Sequence, residues 1–235
     1  MKTIGLIGGM SWESSLEYYR IINHTIKEEL GGFHSAKILL YSVDFAEVER
    51  LQHAGDWLGA GKLLVSVAQK LEKAGADFLL ICTNTMHKLA EEIEQNVQIP
   101  LLHIADLTAK TIQAQGLKKV GLLGTKFTME EGFYRQRIAD NFPIEVIVPR
   151  EEDREIVHRV IYQELCLGKI EKSSQEQFKS IISRLVEAGA EGVILGCTEI
   201  PLLIKAQDCP VPLFDTTQIH AQGAASYAIR MEESK

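Results

Sequence analysis

One segment of this chain returns 114 residues later (188 − 74) with its turn, its apolar run and its polar ending in the same order. Ala74-Gly75-Ala76-Asp77-Phe78-Leu79-Leu80-Ile81 comes back as Ala188-Gly189-Ala190-Glu191-Gly192-Val193-Ile194-Leu195. The opening of the chain returns as well: Gly5 and Gly8 of Ile4-Gly5-Leu6-Ile7-Gly8 match Gly121 and Gly124 of Val120-Gly121-Leu122-Leu123-Gly124, 116 residues on (121 − 5). Tyr18-Tyr19-Arg20 is echoed by Phe133-Tyr134-Arg135. A repeat of about half the chain implies two structural units of one design.

Each half reads as strands alternating with helices, which implies parallel βαβ units. The strand patterns are short apolar runs closed by glycine or polar turns, as buried parallel strands are. In the first half they cover residues 2–9, 37–43 and 77–82, with a further apolar run over 99–104. The spacing predicts helices over 14–28, 57–73 and 85–95, and a polar loop over 44–56. In the second half, strands at 118–125, 144–148 and about 210–215 accompany helices over 175–187 and 217–231, with fraying expected at 232–235. The fold class is therefore α/β: two similar parallel-sheet lobes related by pseudo-twofold symmetry, the active site in the cleft between them. The lobes are expected to comprise residues 1–103 plus 215–235 and residues 104–214. In open α/β sheets ligands bind beyond the carboxyl ends of the strands.

Composition removes several classes of function. A formal net charge of −7 argues against a nucleic-acid binder, because phosphate neutralisation needs clustered Lys and Arg. The apolar run Ile4–Ile7 is too short for a membrane span or a secretion signal. The four cysteines (82, 166, 197 and 209) have no CxxC or ligand spacing and read as reduced thiols, which points to the cytoplasm. The histidines have no metal spacing, and Gly8-Gly9 lacks a full dinucleotide or Walker fingerprint, so no metal and no cofactor are expected.

Chemistry is expected at the two polar turns that close the repeated strands. Cys197, in Gly196-Cys197-Thr198-Glu199-Ile200-Pro201, stands at a strand end just before a helix whose first turn holds Pro201. Free backbone N–H groups and the helix dipole there are expected to lower the thiol pKa below the usual ~8.5. In the gapless register the residue that answers Cys197 is Thr83, while Cys82 answers Gly196. Because strand residues alternate faces, that one-residue step turns Cys82 away from the site and gives it a structural role. Asn84, Thr85 and Thr198, beside helix N-termini, are suited to a carboxylate.

The residues Gly8-Gly9-Met10-Ser11, Thr83-Asn84-Thr85-Met86-His87 and Gly196-Cys197-Thr198-Glu199 resemble the aspartate/glutamate racemases that work without pyridoxal phosphate. The likeness spans essentially the whole chain. It implies two bases, usually two cysteines, one removing the α-proton from one face of the amino acid while the other reprotonates the opposite face. The first motif there normally reads Cys-Asn-Thr; Thr83 departs from it and resembles a subgroup with a threonine/cysteine pair. The likeness further implies substrate contacts from Met10, from Gln52 (with Arg50 as competitor) and from Lys169, and a homodimer. His87 fits the motif and serves equally well to cap or pack. The reading is a cofactor-independent racemase of acidic amino acids, aspartate or glutamate, with Cys197 and Thr83 as the opposed groups. Two alternatives accompany it: a single-cysteine decarboxylase or isomerase of the same fold, and a non-catalytic binder of small carboxylates.

Overall fold

The computed structural model of the chain describes residues 1–230, and these divide into two compact units. The first comprises Met1–Ile104 and the C-terminal segment from His220; the second comprises Ala105–Ile219.

The first unit opens with β1 (Ile4–Gly8), α1 (Trp12–Leu30) and β2 (Ile38–Ser42). It continues with α2 (Phe45–His53), α3 (Trp57–Lys73) and β3 (Phe78–Ile81). A 3-10 turn at Thr85–Leu89 then runs into the short α4 (Ala90–Glu94). The sheet is parallel, in the order β2-β1-β3, with Gly5 opposite Leu79 and Ile7 opposite Ile81. Both faces of the sheet are covered, and successive residues divide between them as the pleat requires. Ile4, Leu6, Phe78, Leu80 and Cys82 pack with Tyr18, Ile22 and Ile26 of α1 on one face. Ile7, Leu79 and Ile81 pack with Leu64, Val67 and Leu71 of α3 on the other.

Two expectations change here. The polar stretch over 44–56 is not a loop: it holds α2, started by Asp44, whose Oδ1 accepts the Ala46 N–H at 3.1 Å. Val48 and Leu51, three residues apart, bury the inner face of that helix. The helix expected over 85–95 is instead the 3-10 turn followed by α4. The apolar run 99–104 lies beside β3 through a single parallel bridge, Leu79 to Leu101. Its hydrogen bonds run from Leu79 N–H to the Pro100 carbonyl at 2.8 Å and from Leu102 N–H to the Leu79 carbonyl at 3.0 Å.

The second unit begins with α5 (Ile104–Ala114), β4 (Lys119–Gly124), α6 (Lys126–Glu130) and α7 (Gly132–Asn141). Next come β5 (Glu145–Ile147), α8 (Glu151–Gln163), α9 (Lys172–Glu187), β6 (Val193–Gly196), α10 (Ile200–Leu203) and β7 (Leu213–Asp215). Its parallel sheet runs β5-β4-β6-β7, with Gly121 opposite Val193 and Leu123 opposite Leu195. This is the first sheet's order, with β7 in place of the single bridge. A buried carboxylate, Asp153, joins two helices of this unit by accepting both Nε (2.9 Å) and Nη2 (2.7 Å) of Arg184.

Helix α11 (Thr216–Ile229) returns the chain to the first unit, where Ala221, Ala224, Ala225 and Ala228 pack against Ile4, Leu6 and Phe78. The expected end of this helix at Met231 and the fraying of 232–235 lie outside the described residues. Among the described residues no helix is long and apolar enough to cross a membrane.

Candidate active site

The strand pairings give each candidate its address within its unit. Ile7 faces Ile81 and Leu123 faces Leu195, so the pair of strands in one unit has the same register as the pair in the other. Carried two residues past Ile81 and Leu195, the equivalence matches Thr83 to Cys197 and Cys82 to Gly196. Cys82 is fully buried on the α1 face among Phe78 and Leu80, and burial holds its thiol well above the ordinary value.

In the first unit the turn after β1 is built on Gly9, whose φ of +91° suits glycine. A Cβ there would meet the Val43 carbonyl oxygen at 2.3 Å. Ser15 Oγ accepts the Gly9 N–H at 2.7 Å and donates to the Ser11 carbonyl at 3.0 Å, so the first turn of α1 secures the glycine turn. Met10 follows at 5% exposure, within the core that also holds Val48, Leu51 and Met86. Ser14 Oγ donates to the Cys82 carbonyl at 2.7 Å. Thr83 is half-buried, and Asn84 and Thr85, both buried, open the 3-10 turn. His87 Nδ1 lies 2.8 Å from the Thr83 carbonyl oxygen.

Gln52 corrects its expected setting. It stands on α2 and is buried, with Nε2 donating to Met86 Sδ at 2.8 Å. It thus ties α2 to the turn that carries Asn84 and Thr85. Its competitor Arg50 is exposed.

In the second unit Cys197 follows β6, and Pro201 occupies the first turn of α10 as expected. The expected electrostatics do not follow. α10 has only four residues, a single turn, which carries little dipole. Instead the thiol Sγ lies 3.0 Å from Glu199 Oε2, and burial, reinforced by that carboxylate and by Cys166, pushes the Cys197 pKa up rather than down. The Thr198 hydroxyl donates to the same Glu199 oxygen at 2.7 Å. Glu199 is itself buried, at 8% exposure. Lys169 is exposed; it follows Gly168, which is in the left-handed region, and its N–H donates to the Glu164 carbonyl at 2.9 Å. The neighbouring turn Leu165–Leu167 packs against α10.

The first unit therefore gathers Met10, Gln52, Thr83, Asn84 and Thr85, and the second gathers Cys197 and Thr198. Sequence reasoning passed over Glu199 as a functional group, although its place two residues after the thiol was the available signal. It also passed over Ser14, Ser15 and His220. His220 is fully buried, with Nδ1 2.7 Å from Tyr18 Oη and Nε2 2.8 Å from the Leu102 carbonyl oxygen. A lone histidine just before the alanine-rich stretch 221–228 was its only trace in the sequence.

A sequence profile of the family described as Asp/Glu/hydantoin racemase matches residues 7–224. The broad specificity amino-acid racemase RacX of Bacillus subtilis (strain 168) is 26% identical over 172 residues, covering 70% of this chain and 70% of that protein. A crystal structure from Yersinia pestis, provisionally described as an Asp/Glu racemase, is 56% identical and superimposes with a TM-score of 0.93 over 98% of this chain and 100% of that one. An aspartate racemase homologue from Pyrococcus horikoshii OT3, 36% identical, gives a TM-score of 0.85 with the same coverage, 98% and 100%.

Proposed function

The chain belongs to the Asp/Glu/hydantoin racemase family, an amino-acid racemase by that membership, and we propose that it inverts acidic amino acids, aspartate or glutamate, with Cys197 and Thr83 serving opposite faces of the α-carbon. The observation that carries this reading is the shared register of the two units, which puts a thiol and a hydroxyl at equivalent positions beyond equivalent strands.

The thiol proton has an acceptor at hand in Glu199, 3.0 Å away. Its transfer leaves a thiolate beside a neutral carboxylic acid. A thiol of raised pKa yields a thiolate of raised basicity, which narrows the gap to a very weakly acidic α-C–H. Turnover at an ordinary ~10 per second allows a barrier of about 16 kcal/mol, so that gap decides whether the reaction runs. The α-proton passes to Sγ, the electron pair moves into the substrate carboxylate, and the Asn84 amide, the Thr85 hydroxyl and the backbone N–H of Thr198 stabilise the added charge. Reprotonation from Thr83 gives inversion, and reprotonation from Cys197 returns the starting enantiomer. Glu199 then returns the thiol proton to solvent, and solvent restores the proton that Thr83 has given, so the site is reset with no net proton change. Met10, Gln52 and Lys169 complete the proposed set of substrate contacts.

The test is α-proton exchange in heavy water with each enantiomer of aspartate and glutamate. For the enantiomer whose α-proton faces Cys197, exchange with retention reports Cys197 and inversion reports Thr83; for the other enantiomer the two roles are exchanged. Cys197→Ala is expected to abolish both. Persistence of exchange in that variant, or release of carbon dioxide in place of exchange, would remove the reading. Ligand-induced thermal stabilisation with no exchange would indicate a binding protein instead.

A further inference from the structure

We propose that His87, together with Ser14, is a positioning residue for Thr83, pinning the peptide groups on both sides of it so that the hydroxyl can deliver a proton. The inference rests on the racemase reading above and concerns a histidine which that reading leaves unused.

The peptide before Thr83 is held through the Cys82 carbonyl, which accepts from Ser14 Oγ at 2.7 Å. The peptide after it is held through the Thr83 carbonyl, 2.8 Å from His87 Nδ1. The orientation of the Thr83 Cα–Cβ bond follows from those two planes. The imidazole is itself assigned by its other side. A backbone N–H can only donate, and Ile104 N lies 3.2 Å from His87 Nε2, so Nε2 accepts and Nδ1 carries the hydrogen. His87 is therefore a neutral imidazole that reads one donor and one acceptor at once. It is 2% exposed and packs edge-on against His103 (centroids 4.6 Å apart) and His220 (5.6 Å). This packing fixes the ring plane.

The equivalent turn of the second unit is built differently. The position equivalent to His87, 114 residues on (201 − 87), is Pro201, whose side chain cannot donate. The Cys197 carbonyl accepts the backbone N–H of Ile200 at 3.2 Å instead. The clamp thus stands on the side with the weaker acid–base group. A hydroxyl depends more on placement than a thiolate does, and misplacement of about 1 Å can cost on the order of 100-fold.

The test compares His87→Leu, His87→Asn and His87→Gln by the partition of the deprotonated substrate between inversion and retention in heavy water. Because that partition starts from one intermediate, a general loss of stability or of substrate binding does not move it. His87→Asn keeps an amide donor at the Nδ1 position for the Thr83 carbonyl, whereas His87→Gln moves the amide out to the Nε2 position, where it serves the Ile104 N–H and leaves the Thr83 carbonyl without its donor. The expected result is inversion reduced roughly 10- to 100-fold relative to retention in His87→Leu and His87→Gln. His87→Asn should stay near the parent ratio, and Ser14→Ala should follow His87→Leu. If His87→Leu does not fold, the Asn/Gln contrast decides. An unchanged partition in all three variants, or equal behaviour of Asn and Gln, overturns the clamp while exchange lost in Cys197→Ala still supports the racemase reading. Nitrogen-15 NMR of the imidazole gives a readout independent of activity: the Nδ1–H tautomer is expected at neutral pH, and the Nε2–H tautomer or a charged ring overturns the proposal even in a protein that turns over nothing.

Discussion

Cys197 Sγ and Glu199 Oε2 lie 3.0 Å apart, and the same carboxylate oxygen accepts the Thr198 hydroxyl at 2.7 Å. One buried carboxylate therefore serves both the thiol and the residue between them. It raises the thiol pKa and is also the nearest place for the thiol proton to go. These two effects separate in Glu199→Gln. Without the negative charge the thiol should titrate at lower pH, read from thiolate absorbance. Exchange of the α-proton should nevertheless fall by about 10²–10³-fold, because the proton acceptor is gone. A variant that exchanges as fast as the parent would leave Glu199 a purely structural group.

Thr83→Cys puts a second thiol at the position equivalent to Cys197. Inversion per exchange event should rise, by about ten-fold or more, since a thiol protonates and deprotonates carbon far more readily than a hydroxyl near neutral pH. Thr83→Ala should do the opposite and leave exchange with retention. Both are read in one experiment by the chirality of deuterated product.

Cys82 stands one residue from Thr83 and packs in the core on the α1 face of the sheet. Cys82→Ala should therefore keep exchange within a few-fold of the parent. It should cost roughly 1–2 kcal/mol of stability through the small cavity left beside Phe78 and Leu80. Denaturant unfolding measures the second effect and heavy-water exchange the first.

His220 links the protein's stability to pH. Burial lowers its pKa from 6.5 to about 4, so the unfolded chain binds a proton that the native state refuses. Its contribution is fully present above pH 6.5 and is lost as the pH falls towards 4, amounting to roughly 3 kcal/mol. Urea midpoints measured at pH 7 and pH 4.5 should show the decline. His220→Gln should flatten the slope, even if it lowers stability at neutral pH.

Gly9→Ala should cost about 3 kcal/mol or more, because the backbone there is left-handed and the added methyl would press on the Val43 peptide. The loss should appear as a lowered melting temperature and as weakened activity, since Met10 follows directly.

The architecture was legible because the repeat fixes it: the 114-residue offset between the two Ala-Gly-Ala turns is the offset between Leu79 and Val193, which face Gly5 and Gly121 in their own sheets. What escaped depends on contacts that sequence spacing does not carry. The 44–56 stretch is polar enough to read as a loop, and its helix is betrayed only by Val48 and Leu51. The thiol pKa was expected to fall because a helix follows Cys197. Neither the shortness of that helix nor the turn of Glu199 towards Sγ could be read from the order of residues. The His87 clamp joins residues 83, 87 and 104, which only the folded chain brings together.

The alanine face of α11 has a consequence for biosynthesis. Ala221, Ala224, Ala225 and Ala228 fill the core beside Ile4, Leu6 and Tyr18, and Lys2 N–H donates to the Ala228 carbonyl at 2.8 Å. The ribosome releases this segment only after residues 105–219, so the half of the protein made first is the half finished last. At ~5–20 residues per second, the β1 face awaits its cover for many seconds while the residues of the second unit are being made.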